Sequence, residues 1–113
     1  MNIKVSVIVP IYGVEKHIEK CLVSLFEQSM ENIEFIFVND KTKDNSMNIL
    51  EEIINHYIHL KSRIKVVEHE TNLGLSAARN TGLKIASGEY IIHLDSDDWV
   101  DSDLYEKMYF MAK

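Results

Sequence analysis

Asp95, Asp97 and Asp98 crowd into four consecutive positions at the end of an apolar run, Tyr90 to Leu94. Carboxylates held this close repel one another, and burial would raise their pKa values further. A divalent cation resolves that conflict. Magnesium and manganese are hard ions that take one or two carboxylate oxygens and complete their shell with phosphate oxygens and water. The pattern therefore fits a clamp for a phosphorylated ligand. The alternative is a solvated acidic turn leading into a last helix, capped by Asp101 or Ser102. The position of the three acids at the mouth of an apolar strand favours the cation.

Other polar groups stand at similar places. Asp40 closes a second apolar run, where its carboxylate can accept a hydrogen bond from a nucleobase N–H or simply belong to a turn. Arg79 has a planar fork suited to phosphate or base, or is an ordinary surface arginine. Tyr12, two residues past Pro10, can pack on a flat ligand or close the core. Of His17, His56, His59, His69 and His93, none has a zinc-ligand spacing with Cys21. His56 and His59 read as solvated, and His93, inside a strand pattern, as packed or hydrogen-bonded. Cys21 falls in an apolar helical stripe and reads as core. Trp99 reads as packing that stiffens the acidic loop.

The elements that must position these groups alternate. Ile3 to Val9 is β-branched and apolar, as expected of a strand covered on both faces, and Pro10 ends it. Val14 to Gln28 has helical spacing through Ile18, Cys21, Leu22, Leu25 and Phe26. Ile33 to Val38 is a second strand. Asp44, Asn45 or Ser46 then caps a helix with Met47, Leu50, Ile54, Tyr57 and Ile58 on one face. Ile64 to Glu68 is a third strand, and Asn72-Leu73-Gly74 a turn. A third helix turns Leu75, Ala78, Gly82, Ile85 and Ala86 inward, its small residues allowing close packing. Tyr90 to Leu94 is the fourth strand, and a last helix starts near Ser102. Strands separated by helices imply right-handed crossovers, hence a Rossmann-like three-layer α/β/α parallel sheet of about four strands. Ligands in such sheets bind at the carboxyl ends of strands where strand order reverses.

Composition sets bounds. With 113 residues, the chain makes one small domain, and 46% hydrophobic residues is enough for an ordinary core. Its 18 acids outnumber 12 bases, a net charge of -6, which argues against nucleic acid as partner. A small anionic ligand remains compatible if a cation mediates. One cysteine excludes an internal disulfide. The start of the chain has no signal-peptide pattern, and no run approaches the roughly 18 apolar residues of a membrane span. The expected location is cytoplasmic, with any membrane attachment peripheral on the cytoplasmic face.

Four segments, in order, carry a resemblance. Val5-Ser6-Val7-Ile8-Val9-Pro10-Ile11-Tyr12 resembles the opening strand of family 2 glycosyltransferases, which have the GT-A fold. Val38-Asn39-Asp40 with Asp44-Asn45-Ser46 is similar to the family's second motif, Asn72 to Asn80 to its third, and Leu94 to Asp98 to its metal motif. Together they cover nearly the whole chain. The resemblance implies that Pro10, Ile11, Tyr12 and Asp40 hold the nucleoside, with Asp40 pairing to the base. It implies that Arg79 contacts the nucleotide, that Asp95 lies near ribose and metal with Ser96 beside it, and that Asp97 ligates manganese or magnesium. The implied reaction is inverting transfer of a sugar from a nucleotide-diphosphate donor, UDP being favoured, to a hydroxyl of a glycan or lipid-linked acceptor, the metal stabilising the departing diphosphate. Two positions depart from the family: Lys41 stands where glycine is usual, and Gly13 where asparagine is usual.

Inverting transfer also needs a general base for the acceptor's proton. By resemblance that carboxylate comes from a later segment, so no catalytic base is expected within the chain. The chain is expected to be the donor-binding half, truncated before the acceptor half, binding nucleotide weakly without turnover. Truncation would uncover apolar surface and a strand edge, favouring self-association. A non-catalytic nucleotide-binding module is the first rival. A signalling receiver domain would need an acidic pair where Pro10-Ile11-Tyr12 stands, and a nicotinamide dinucleotide domain would need Gly-x-Gly-x-x-Gly after strand one.

Overall fold

The computed structural model of the chain describes residues 2–112. Four strands, β1 (Val5–Ile11), β2 (Ile33–Asn39), β3 (Ile64–Glu68) and β4 (Tyr90–His93), form one sheet in the order β3-β2-β1-β4. Every pairing is parallel. The helices are α1 (Ile18–Phe26), α2 (Ser46–His56), α3 (Leu75–Ile85) and α4 (Leu104–Ala112), with a short 3-10 turn at Ile58–Arg63. The expected layered α/β sheet is therefore present.

Alternation along the strands sorts the core into two faces. Val5, Val7, Val9 and Ile11 of β1, with Ile33, Phe35 and Phe37 of β2, meet α1, α2 and α4. Ile8, Ile36 and Val38 point the other way, onto Ala78 of α3. That two-residue period and the helices on both faces explain why β1 and β2 are buried along their whole length. On α1, Ile18, Leu22 and Leu25 are fully buried, each stabilising the fold by roughly 1.5–3 kcal/mol. On α3 the small residues do what their size permits. A Cβ on Gly82 would stand 2.5 Å from Ile8 Cγ2, so only glycine lets the helix approach β1 this closely.

The structure differs from the sequence expectation in five places. Pro10 does not end β1: it sits opposite Val38 and the strand runs on to Ile11, the position without an N–H facing past the end of the shorter β4. The segment before α1 is a turn rather than helix to residue 17, because its backbone N–H groups are taken by side chains of the loop after β2. Ile58 is exposed, since α2 ends at His56 and the following turn rotates it outward. Leu75 is exposed as well, at the first turn of α3 above the sheet's rim. His93 is neither packed nor hydrogen-bonded among the described residues: β4 is an edge strand with β1 on one side only, which leaves His93 in solvent. Strand-like bonding continues one residue beyond β4, Leu94 N–H donating to Ile8 O at 3.0 Å.

At the amino ends of β1 and β2 a buried polar cluster lies under the end of α3. The Glu34 carboxylate, 3% exposed, accepts from Ser6 Oγ at 2.6 Å, from Ser87 N–H at 2.7 Å and from Ser87 Oγ at 2.9 Å. Lys65 Nζ of β3 stands 2.9 Å from its other oxygen. The opposite rim, where the strands end, holds the loops of interest.

Candidate functional site

β1 sits at the point where strand order reverses: the chain runs β1, β2, β3 outward and returns to place β4 on β1's other side. A crevice opens at the carboxyl ends of the strands beside such a point. There a cleft of about 390 Å³ is lined by Pro10 near the end of β1 and Tyr12 just after it, Asp40 after β2, Gly74 and Ala78 at α3, and Asp95, Ser96 and Asp97 after β4. Tyr12 is half exposed, leaving a ring face open to a flat ligand.

Asp40 is the most constrained of these groups. Its backbone N–H donates to Ile11 O at 3.0 Å, stitching the first two loops together. Its carboxylate is buried and accepts the N–H groups of Leu73 and Gly74 at 2.8 and 2.9 Å. Gly74 has φ +97, a conformation natural to glycine, and this aims its N–H at Asp40. His69 Nδ1 lies 2.9 Å from Oδ1. Burial pushes the carboxyl pKa up, but the bonds from Leu73, His69 and Gly74 outweigh it and hold the group below the ordinary aspartate range. Asp40 is therefore an ionised acceptor at neutral pH.

The acidic tip of β4 is built differently. Asp95, Asp97 and Asp98 are exposed, and one carboxylate oxygen from each lies within 4.8 Å of the others. Such a set of negative oxygens, open to solvent and unbridged by lysine, suits a hard divalent cation with outer positions free for ligand oxygens. Arg79 Nη2 donates to Asp95 Oδ1 at 3.1 Å, while its Nε is buried with no partner among the described residues. Beneath the tip, Cys21 Sγ is 3.9 Å from Asp95 O. Burial, with the nearby charges of Asp98 and Asp97, pushes the thiol up to about 12, so Cys21 stays protonated and acts as core. Trp99, expected to pack and stiffen the acidic loop, is exposed, with the Lys20 ammonium of α1 4.1 Å from its ring centre.

The loop after β2 is held by Asp44. It accepts from Thr42 Oγ1, from Ser46 N–H and Oγ, and from Glu15 N–H, so it is the side chain that caps α2 from just outside it. Burial opposes ionisation, yet these bonds bring its pKa down to about 2. Within the loop Lys41 has φ 59, the one non-glycine residue with positive φ among those described. The departure from glycine has therefore kept the turn and placed a lysine in the left-handed region, at a cost of about 1–2 kcal/mol. Lys41→Gly is expected to raise stability by about 0.5–1 kcal/mol once the greater freedom of unfolded glycine is subtracted. A thermal melt should show a rise of a few degrees; a fall would mean that the Lys41 side chain stabilises the loop. Gly13, at the family's asparagine position, has φ 65 and donates its N–H to Thr42 Oγ1 at 2.8 Å.

The structure thus brings Pro10, Tyr12, Asp40, Asp95, Ser96 and Asp97 to one cleft. Ile11 does not line it. Its side chain is wholly buried in the core, and its part in the site is the carbonyl that receives the Asp40 N–H. Arg79 stands beside the cleft, tied to Asp95. One residue escaped the sequence reading: His69, which follows β3 as Asp40 follows β2 and contacts it directly. Its place at a strand's carboxyl end was the available signal.

Comparison with known proteins agrees in kind. A family model described as glycosyl transferase family 2 matches residues 6–113. The chain is similar to the glycosyltransferase GlyA of Streptococcus pneumoniae, 46% identical over 106 residues, 94% of this chain and 14% of that protein. Its fold is similar to a crystal structure of S. aureus TarS 1-349 in complex with UDP: TM-score 0.83, 36% identity, covering 94% of this chain and 31% of the other. It is similar also to the mannosyltransferase PcManGT from Pyrobaculum calidifontis in complex with GDP-Man and Mn2+: TM-score 0.86, 27% identity, covering 97% of this chain and 32% of that one. The chain spans less than a third of the length of each of these proteins.

Proposed function

The chain belongs to glycosyl transferase family 2, and from that premise we propose that it is the donor-binding domain of an inverting, divalent-metal-dependent sugar transferase. The observation that carries the proposal is the single cleft shared by Tyr12, Asp40 and the carboxylates of Asp95 and Asp97. A nucleoside diphosphate needs three things: a flat surface, an acceptor for a base N–H, and positive charge for its phosphates. Tyr12 supplies the first and Asp40 the second. Asp95 and Asp97 would hold a manganese or magnesium ion, which when bound supplies the Lewis acidity that stabilises the leaving diphosphate. The Mn2+ and GDP-Man of the PcManGT structure and the UDP of the TarS structure support this kind of ligand. Arg79 would exchange its bond to Asp95 for one to the nucleotide, satisfying its buried Nε.

UDP is the proposed donor nucleotide, and a glycan or lipid-linked hydroxyl, on the cytoplasmic side, the proposed acceptor. The general base and acceptor site would come from outside these residues: the cleft's own carboxylates are already committed to nucleotide and metal. Among the described residues no helix is long and apolar enough to cross a membrane.

Calorimetric titration with UDP, GDP, CDP and dTDP, with and without manganese, tests the reading. Binding is expected to be tighter by tenfold or more with the metal, about 1.4 kcal/mol. Nucleotide affinities that ignore manganese would remove the metal from the proposal.

A further inference from the structure

We infer that His69 is a positioning residue that fills one oxygen of Asp40, leaving a single acceptor for the base and so selecting uracil or thymine nucleotides over guanine nucleotides. The inference rests on the nucleotide-binding reading and adds the specificity to it.

The count of lone pairs carries the argument. An ionised carboxylate offers about four acceptor positions, two on each oxygen, and no hydrogen. Oδ1 of Asp40 takes His69 Nδ1 at 2.9 Å and Leu73 N–H at 2.8 Å, and is full. Oδ2 takes Gly74 N–H at 2.9 Å, which leaves it one position. Both side chains of the pair are more than nine-tenths buried, so water does not compete for these positions.

The ring is held at its far side too. His69 Nε2 lies 2.7 Å from Thr81 Oγ1, and that hydroxyl lies 3.0 Å from Ala77 O. Two proton arrangements satisfy the chain. In the neutral ring, Thr81 donates to Nε2. In the charged ring, Nε2 donates to Thr81, whose hydrogen goes to Ala77 O. Because Asp40 can only accept, Nδ1 carries its hydrogen in both, and Oδ1 is occupied whatever the ring's charge.

One remaining acceptor suits a base with one ring N–H between two carbonyls, which is the edge of uracil and thymine. Cytosine has no hydrogen on that ring nitrogen. Guanine presents two adjacent donors, N1–H and the amino group, and its best match is a carboxylate with both oxygens free. His69 removes that option.

The test compares UDP and GDP affinities, in the presence of magnesium, for wild type, His69→Leu and His69→Asn. Wild type is expected to prefer UDP. His69→Leu should lose about tenfold in UDP affinity, the value of a charge-assisted hydrogen bond, and the UDP-to-GDP ratio should shrink. His69→Asn, whose amide can donate where Nδ1 does, should keep most of the preference. Binding of magnesium pyrophosphate, which has no base, should be the same in all three. If His69→Leu does not fold, nuclear magnetic resonance of the wild-type ring decides: UDP should shift the His69 nitrogens and magnesium pyrophosphate should not. An unchanged UDP-to-GDP ratio in His69→Leu, or ring signals indifferent to UDP, would overturn the role of His69 alone. A wild type that binds no nucleotide would overturn the parent reading and this one together.

Discussion

Replacing Asp97 with alanine is expected to abolish the manganese enhancement of UDP binding, a loss of tenfold or more, about 1.4 kcal/mol or above. Metal-free affinity should stay where it is, and the melting temperature should not fall. The contrast between those readouts follows from how Asp97 is placed. It is exposed at the cleft's edge, and among the described residues its side chain takes part in no hydrogen bond or ion pair. Its carboxylate is held near those of Asp95 and Asp98, an arrangement that costs the fold a little repulsion. Removing it therefore relieves that repulsion and takes away an oxygen ligand at once.

Asp95 would be the poorer choice for this test. It receives Arg79 at 3.1 Å, and its carbonyl receives the Asp98 N–H and the Cys21 thiol. An Asp95→Ala protein would free Arg79 to repel the cation, mixing two effects. Calorimetry with and without manganese on Asp97→Ala, beside a thermal melt, separates ligand loss from misfolding. Equal manganese enhancement in wild type and Asp97→Ala would end the metal assignment.

Period and composition made the sheet legible. Ile3 to Val9 and Ile33 to Val38 announce buried strands because β-branched and aromatic residues dominate them, and the strands found there, Val5–Ile11 and Ile33–Asn39, prove buried on every residue. The five positions read as the inward stripe of α1, Ile18, Cys21, Leu22, Leu25 and Phe26, repeat at helical spacing and all five are buried. Legibility fell where a residue's environment depended on a neighbour distant in sequence. Ile58 and Leu75 fit their helical stripes on paper, but each lies where the helix has ended or barely begun. His93 reads as a strand residue, and only the strand order shows that β4 has an open side. Lys41 is a similar case: the φ of 59 follows from a turn closed by Thr42 and Asn39, not from lysine's own preference. At the cleft the motif residues stood out one by one. That Asp40 would be spent largely on Leu73, Gly74 and His69 required knowing that the third loop folds back over the second.

Glu34 shows the same limit and leads to the largest expected stability effect. In sequence it is an acidic residue at the start of an apolar strand. The parallel register sets it opposite Ser6, twenty-eight positions away, and the end of α3 closes over both. Glu34→Ala would leave Ser6 Oγ, Ser87 N–H and Ser87 Oγ without their acceptor in a dry place, and Lys65 without its counter-charge. The expected cost is about 3 kcal/mol, read as a drop on the order of 10 °C in melting temperature. Glu34→Gln keeps the shape but has one acceptor oxygen instead of two, so its NH2 must face either the serine donors or the Lys65 ammonium, and the change should cost about 2 kcal/mol. Acid separates charge from shape. Burial raises the Glu34 pKa, but bonds from Ser6, Ser87 and Lys65 overcome it and leave the group below the ordinary glutamate value of 4.5. A lowered folded-state pKa means that the unfolded chain binds the proton first as pH falls. The stabilisation is thus complete above 4.5 and fades as pH drops through the folded value. The stability gap between wild type and Glu34→Gln, measured by urea unfolding, should be constant near neutrality and narrow below that point. A gap that stays constant into acid would mean that packing, not the charge on Glu34, ties α3 to the sheet.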